Sequence, residues 1–190
     1  PDYIFYKDYF DYFFRDTTNT GRENGLLYFF LVSCVVKIQE INITPATELH
    51  YISNSIHTIN FSLYLVGLAG LYKLLELKKF EKNNILLSFI ILNFMPFTIK
   101  LLSTMKPEIL AFAILPWSLL CIELFIKYKN INYIFLSIFP NIILLSTKNS
   151  IIATVGAIYL FIFIVNFKTF KNIKFLRAVS FFLFFYFLLL

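Results

Sequence analysis

Long apolar runs separated by short, lysine-bearing breaks set the pattern of this chain. A membrane-crossing helix needs about 20 mostly apolar residues, within a range of about 17–25. Residues 55–75, 85–104 and 108–126 meet that length, 132–147 falls slightly short, 151–167 meets it, and 178–190 begins a further run. Pro96, Pro116 and Pro140 fall inside three of these runs. Membrane helices accept such kinks when neighbours satisfy the freed carbonyl. The pattern predicts an all-α, polytopic membrane helix bundle of about six spans over 55–190, truncated at its C-terminus. Residues 1–54 precede it as an outer-face loop of amphipathic juxtamembrane helices.

The polar positions predict how the bundle is oriented. The breaks at 73–82, 127–129 and 168–177 hold Lys73, Lys78, Lys79, Lys82, Lys127, Lys129, Lys168, Lys171, Lys174 and Arg177, whereas the alternate breaks hold Lys106 and Lys148, with Lys100 at one edge. Basic loops stay on the cytoplasmic side. The span 55–75 therefore runs from outside to inside, and the first 54 residues lie outside. Charge in that segment is reversed: Asp2, Asp8, Asp11, Asp16, Glu23, Glu40 and Glu48 face Lys7, Arg15, Arg22 and Lys37. Its one apolar run, 26–36, is short for a span and reads as an interfacial or re-entrant helix. The competing reading makes 26–41 a true span and moves the acidic stretch to the cytoplasm.

Composition strengthens the membrane reading. Of 190 residues, 59% are hydrophobic and 15% charged, with a mean hydropathy of +0.75. A soluble domain could not cover that much apolar surface with so few charges. The net charge of +6 arises from lysine clusters between apolar runs, and no nucleic-acid motif accompanies it. Cys34 and Cys121 lie inside apolar runs and read as small buried hydrophobes. The chain starts without Met and stops within a hydrophobic run, so it reads as a piece of a longer protein.

Candidate chemistry gathers on the outer side. All four aspartates fall within the first 16 residues. Tyr3, Tyr6, Phe10 and Phe13 recur at helical spacing there, with Lys7, Asp8, Asp11 and Arg15 on another side. Asp2 suits a helix start, where a carboxylate offsets the free N–H groups and the macrodipole. The turn Lys106-Pro107-Glu108 joins two spans on the same face, and Pro and Glu both suit a first helical turn. The next outer turn, 146–150, carries Lys148 among hydroxyls and an amide. Acid and cations at one membrane face form a polar site that could bind an anionic head group. His50 and His57 stand seven residues apart without a third ligand at matching spacing, so no metal site is expected from them. No glycine-rich phosphate loop, HExxH or GxSxG motif occurs.

The order of these features resembles the GT-C membrane glycosyltransferases, in particular the protein mannosyltransferase and aminoarabinose transferase types. "PDYIFYKDYF" is similar to their first outer loop, an acid followed by spaced tyrosines. "GLLYFF" at 25–30 resembles their aromatic juxtamembrane start, "LYKLLELKK" at 71–79 their basic cytoplasmic turn, and "KPE" at 106–108 their outer basic-Pro-acid turn. The likeness covers residues 1–150. It implies transfer of a sugar from a polyprenyl-phosphate donor to a glycan, lipid or protein acceptor on the outer side. Asp2 would be the catalytic base, and Arg22, Lys106, Glu108 and Lys148 would bind substrate. Neither sugar, acceptor nor metal requirement follows from it, and no nucleic-acid partner does. The implied location is a multi-pass protein of a bacterial inner or cell membrane. "GRENGLLYF" lacks the prolines common before the aromatic pair, which weakens the match at Arg22. Two alternatives remain: a transporter or flippase without covalent chemistry, and a polymerase or ligase of surface polysaccharide.

Overall fold

The computed structural model describes residues 26–39, 48–104, 106–130 and 132–147, together with 156, 157, 160 and 164. Every regular element among the described residues is an α-helix. In chain order these are α1 (Leu26–Gln39), α2 (Glu48–Leu77), α3 (Lys82–Phe94), α4 (Pro96–Ser103), α5 (Glu108–Tyr128) and α6 (Asn132–Leu145). Two are long and apolar enough to cross a membrane, over His50–Leu77 and Glu108–Tyr128, and α3 with α4 makes a third if that bent pair is one span. α1 and α6 are shorter apolar helices.

α2 has 30 residues, about 45 Å at 1.5 Å per residue, against a hydrocarbon core of about 30 Å. It starts seven residues before the apolar run 55–75, within the segment read as outer loop. Three of its hydroxyls are satisfied inside the helix. Ser55, Thr58 and Ser62 each donate to the carbonyl four residues back, at 2.8 Å, which removes their need for water. Ile52, Ser55, Asn60, Tyr64, Gly67 and Gly70 form its buried stripe, the spacing of a single helical face.

The run 85–104 is not one straight helix. α3 and α4 meet at 62°. Pro96 opens α4, and the residue before a proline is pushed out of the helical region. Met95 accordingly sits at φ −68, ψ 131. The released Leu92 carbonyl is taken by the Met95 N–H at 3.3 Å and the Thr98 hydroxyl at 2.7 Å. Beside the break, Tyr64 donates to Asn93 Oδ1 at 3.0 Å.

The α2–α5 contact is built on small residues against aromatic ones. A Cβ on Gly67 would stand 2.6 Å from the Phe112 ring and 2.8 Å from the Phe112 carbonyl oxygen. That carbonyl is the one Pro116 leaves without its helical donor. Gly70 lies against the Trp117 indole, whose N–H donates to the Val66 carbonyl at 3.0 Å. Tyr64 stacks on Phe112 with centroids 5.3 Å apart. Close backbone approach at small residues is how helices associate where no water drives them together. Across the α5–α6 contact, buried Ser118 donates to Asn141 Oδ1 at 2.7 Å.

At the lysine-rich end, Lys78 pairs with Glu123 at 2.6 Å, tying the exit of α2 to α5. Their side chains are 48% and 23% exposed, so water screens much of the attraction. A double-mutant cycle with Lys78→Met and Glu123→Gln is expected to give a coupling of about 0.5–1 kcal/mol. A value well above this would mean that the pair is drier than its exposure implies.

Candidate functional site

The opposite end of the bundle holds a polar knot inside an apolar cluster. Tyr28, Phe29, Val32 and Val36 of α1 pack with Ile52 and Tyr64 of α2, Leu101 of α4, and Ile109 and Leu110 of α5. The apolar face of α1 repeats at positions 28, 32 and 36, one helical turn apart. That face is the one α1 packs against α2, α4 and α5. Ile143, near the end of α6, packs on the same cluster.

Within it, the Tyr28 hydroxyl donates to Asn60 Oδ1 at 2.8 Å. The Asn60 amide nitrogen faces three carbonyls at the end of α4: Leu101 at 3.3 Å, Leu102 at 3.1 Å and Thr104 at 2.9 Å. A helix C-terminus leaves its last carbonyls without intrahelical donors, and here a side chain from another helix caps them. His57, one turn before Asn60, shares the Leu102 carbonyl at 3.3 Å through Nδ1. Because a carbonyl only accepts, that nitrogen carries the proton.

The same phenol reaches the turn that follows. The Lys106 backbone and the Glu108 carboxylate both lie close enough to the Tyr28 oxygen to act on it electrostatically. Burial pushes the phenol well up from its ordinary value. Tyr28 therefore stays a neutral hydrogen-bond donor at any physiological pH. Glu108 opens α5, where its negative charge complements the positive end of the helix. One of its oxygens is enclosed by protein. Lys106 is half-buried.

Lys106 and Glu108 thus stand together at the mouth of α5, beside α1. Asp2, Arg22 and Lys148 lie outside the described residues, as do the amphipathic stretch 1–16 and the runs 178–190 and most of 151–167. The position just before Lys148 is described. Thr147 is buried and bonds through its hydroxyl to the Leu144 carbonyl. Counting outward from the Ser118–Asn141 pair, Thr147 is six residues away and Glu108 ten, about 9 and 15 Å along their helices. Along the helix axes, the end of α6 therefore falls about 6 Å short of the start of α5.

The chain matches no protein-family model, no curated protein and no solved structure. Its chemistry must be read from its own residues. Asn60 belongs to no motif in the sequence; Tyr28 falls within "GLLYFF" at 25–30, and His57 stands out there only as a neighbour of His50. The one signal Asn60 carries is polarity: it is an amide at the edge of an apolar run, and such a group needs a partner. His50 accepts from Asn54 at 3.1 Å on the exposed start of α2. No group of three or more His, Cys, Asp or Glu is placed to hold a metal among the described residues.

Proposed function

We propose that this chain is part of a multi-pass integral membrane glycosyltransferase of a bacterial cell membrane. It would move a sugar from a polyprenyl-phosphate donor to an acceptor on the outer side. The observation that carries this reading is the Tyr28–Asn60 knot, which ties α1 and the end of α4, just before the turn at 106–108, to one end of the bundle. That arrangement suits an enzyme whose donor lies in the membrane and whose acceptor arrives from water. In this reading the lysine and the carboxylate at the mouth of α5 would meet the lipid phosphate at the boundary of the membrane.

In this reaction the acceptor hydroxyl oxygen forms a bond to the anomeric carbon while the bond from that carbon to the phosphate oxygen breaks. The bonding electrons leave with the lipid phosphate, and the hydroxyl proton passes to a carboxylate base. Asp2 is the base in this reading. Lys106, Lys148 and Arg22 offset the charge gathering on the departing phosphate, since cations near a dry boundary act most strongly where charge develops. Glu108 adds a polar contact to the sugar or orients Lys106.

One observation favours a second reading. The break between α3 and α4 resembles the interrupted helices around which transporters move their cargo, so a flippase without covalent chemistry is the alternative.

The test is sugar transfer from a polyprenyl-phosphate donor in membranes containing the full-length protein. Asp2→Asn and Glu108→Gln are compared with the parent at matched expression. Loss of turnover in Asp2→Asn with donor binding retained is the expected result. Parental turnover in Asp2→Asn would remove the assigned base. Absence of transfer by every form, together with donor crossing the bilayer, would favour the flippase.

A further inference from the structure

We propose that the lysine-rich end of the bundle is a docking surface for the head groups of anionic phospholipids. This inference does not depend on the transferase reading, because it concerns the end remote from the Tyr28–Asn60 knot.

The surface is assembled from two parts of the chain. The turn between α2 and α3 brings Lys78, Lys79 and Lys82, and the end of α5 brings Lys127 and Lys129. The Lys78–Glu123 contact of 2.6 Å holds the two together, and Glu123 stands one helical turn before Lys127. Over this end, Lys73, Lys78, Lys79, Lys82, Lys127 and Lys129 outnumber Glu76, Glu81 and Glu123, an excess of three positive charges. Lys73 and Lys78 engage Glu76 and Glu123. Lys79, Lys82, Lys127 and Lys129 are exposed.

Helix ends do not change that balance. α2 and α5 finish here, and α3 and α6 begin here, so two negative and two positive dipole ends offset one another. The lysines are left to set the local field.

Two of the lysines hold backbone conformations that cost energy. Lys79 and Lys129 have φ of 62° and 55°, the left-handed region where glycine is the usual helix-ending residue. At Lys79 the ending is complete: its N–H bonds to the Glu76 carbonyl and the Phe80 N–H to the Leu75 carbonyl. At Lys129 the N–H bonds to the Phe125 carbonyl at 2.7 Å. Each of these two helices thus ends on a cation where glycine would fit with less strain.

The neighbouring side chains match a lipid boundary. Phe80 and Tyr128 are exposed, Tyr128 lies 6.1 Å from Tyr133 between ring centroids, and the Lys127 ammonium sits over the Tyr128 ring. Aromatic rings of this kind settle at head-group depth. Both helices that end here are candidate membrane spans. The partner that meets such an edge is the leaflet itself, with anionic head groups as the complementary charge.

The experiment offers the full-length protein equal amounts of phosphatidylglycerol and phosphatidylcholine in mixed micelles and reads the retained lipid by native mass spectrometry. The parent is expected to enrich phosphatidylglycerol. Each Lys→Gln change at 79, 82, 127 or 129 is expected to lower that enrichment by up to about fivefold, and the four together to bring it close to parity. The matching Lys→Arg set keeps the charge and is expected to keep the enrichment. It separates lost binding from lost folding. Added sodium chloride is expected to weaken the parent's preference, since exposed charges are screened within about 10 Å at 0.1 M. No preference in the parent, or an undiminished one in the four-Gln protein, would overturn the proposal. So would displacement of the lipid by inorganic phosphate well beyond that by chloride at equal ionic strength, because the site would then be one for free phosphate.

Discussion

Asn60→Leu is expected to destabilise the bundle by about 3–5 kcal/mol, although the new side chain has nearly the old size. Asn60 is fully buried and joins three segments distant in sequence. Its carbonyl accepts from Tyr28, and its amide serves the Leu101, Leu102 and Thr104 carbonyls. Leucine would leave the Tyr28 hydroxyl without that acceptor. It would also take away the cap on α4, with only Leu102 keeping a donor in His57. Orphaned polar groups in such a place cost about 1–3 kcal/mol each. Tyr28→Phe combined with Asn60→Leu removes both partners of the first bond, so the double variant is expected to lose less than the two single costs added together. Trp117 is the one tryptophan of the chain and lies on the α2–α5 contact, so its fluorescence on thermal unfolding in detergent reports both results. An Asn60→Leu protein within about 0.5 kcal/mol of the parent, the range of an ordinary surface change, would show that the knot contributes little.

Gly67→Leu is expected to be the most disruptive change in the centre of the bundle, at more than about 3 kcal/mol. Of the two atoms groups a Cβ would meet, the Phe112 ring could turn aside. The Phe112 carbonyl at 2.8 Å could not, because it belongs to the backbone of α5. α2 and α5 would have to separate, and the Trp117 bond to Val66 would go with them. Gly67→Ala introduces only the Cβ, for which about 1–3 kcal/mol is expected. Gly156 supplies the contrast, since a Cβ there meets nothing within 4 Å. Alanine at that helical position is expected to be neutral or to stabilise by up to about 1 kcal/mol. Equal tolerance at the two glycines would mean that α2 and α5 do not approach closely at Gly67.

Hydropathy along the chain located most of the helices that the structure describes. The apolar runs 55–75, 108–126 and 132–147 correspond to α2, α5 and α6, and 26–36 to α1. Length and polarity are local properties, so they survive in a one-dimensional reading. Pro96 announced a break at 85–104, but not its angle. How Met95 and Thr98 would share the freed carbonyl depends on three-dimensional placement. The left-handed lysines were equally hidden, since lysine is not the residue that marks such a helix ending.

At the candidate site the division runs the same way. Pro107 and Glu108 could be read as a helix start from their types alone, and Lys106 as a cation at a span's end. Their neighbours could not. Tyr28 and Asn60 are 32 residues apart, and Asn60 and Thr104 are 44 apart. A side-chain amide at the edge of a span states only that a partner is needed. Which hydroxyl and which carbonyls supply it depends on helix rotation and depth. Those follow from packing at Gly67, Gly70 and the α1 face. The sequence by itself therefore determined a helical chain with segments long and apolar enough to cross a membrane and a sharp contrast in charge. Tertiary structure alone decided that Tyr28, Asn60 and the end of α4 meet, because hydrogen bonds between distant residues form only after apolar contacts have brought their helices into register.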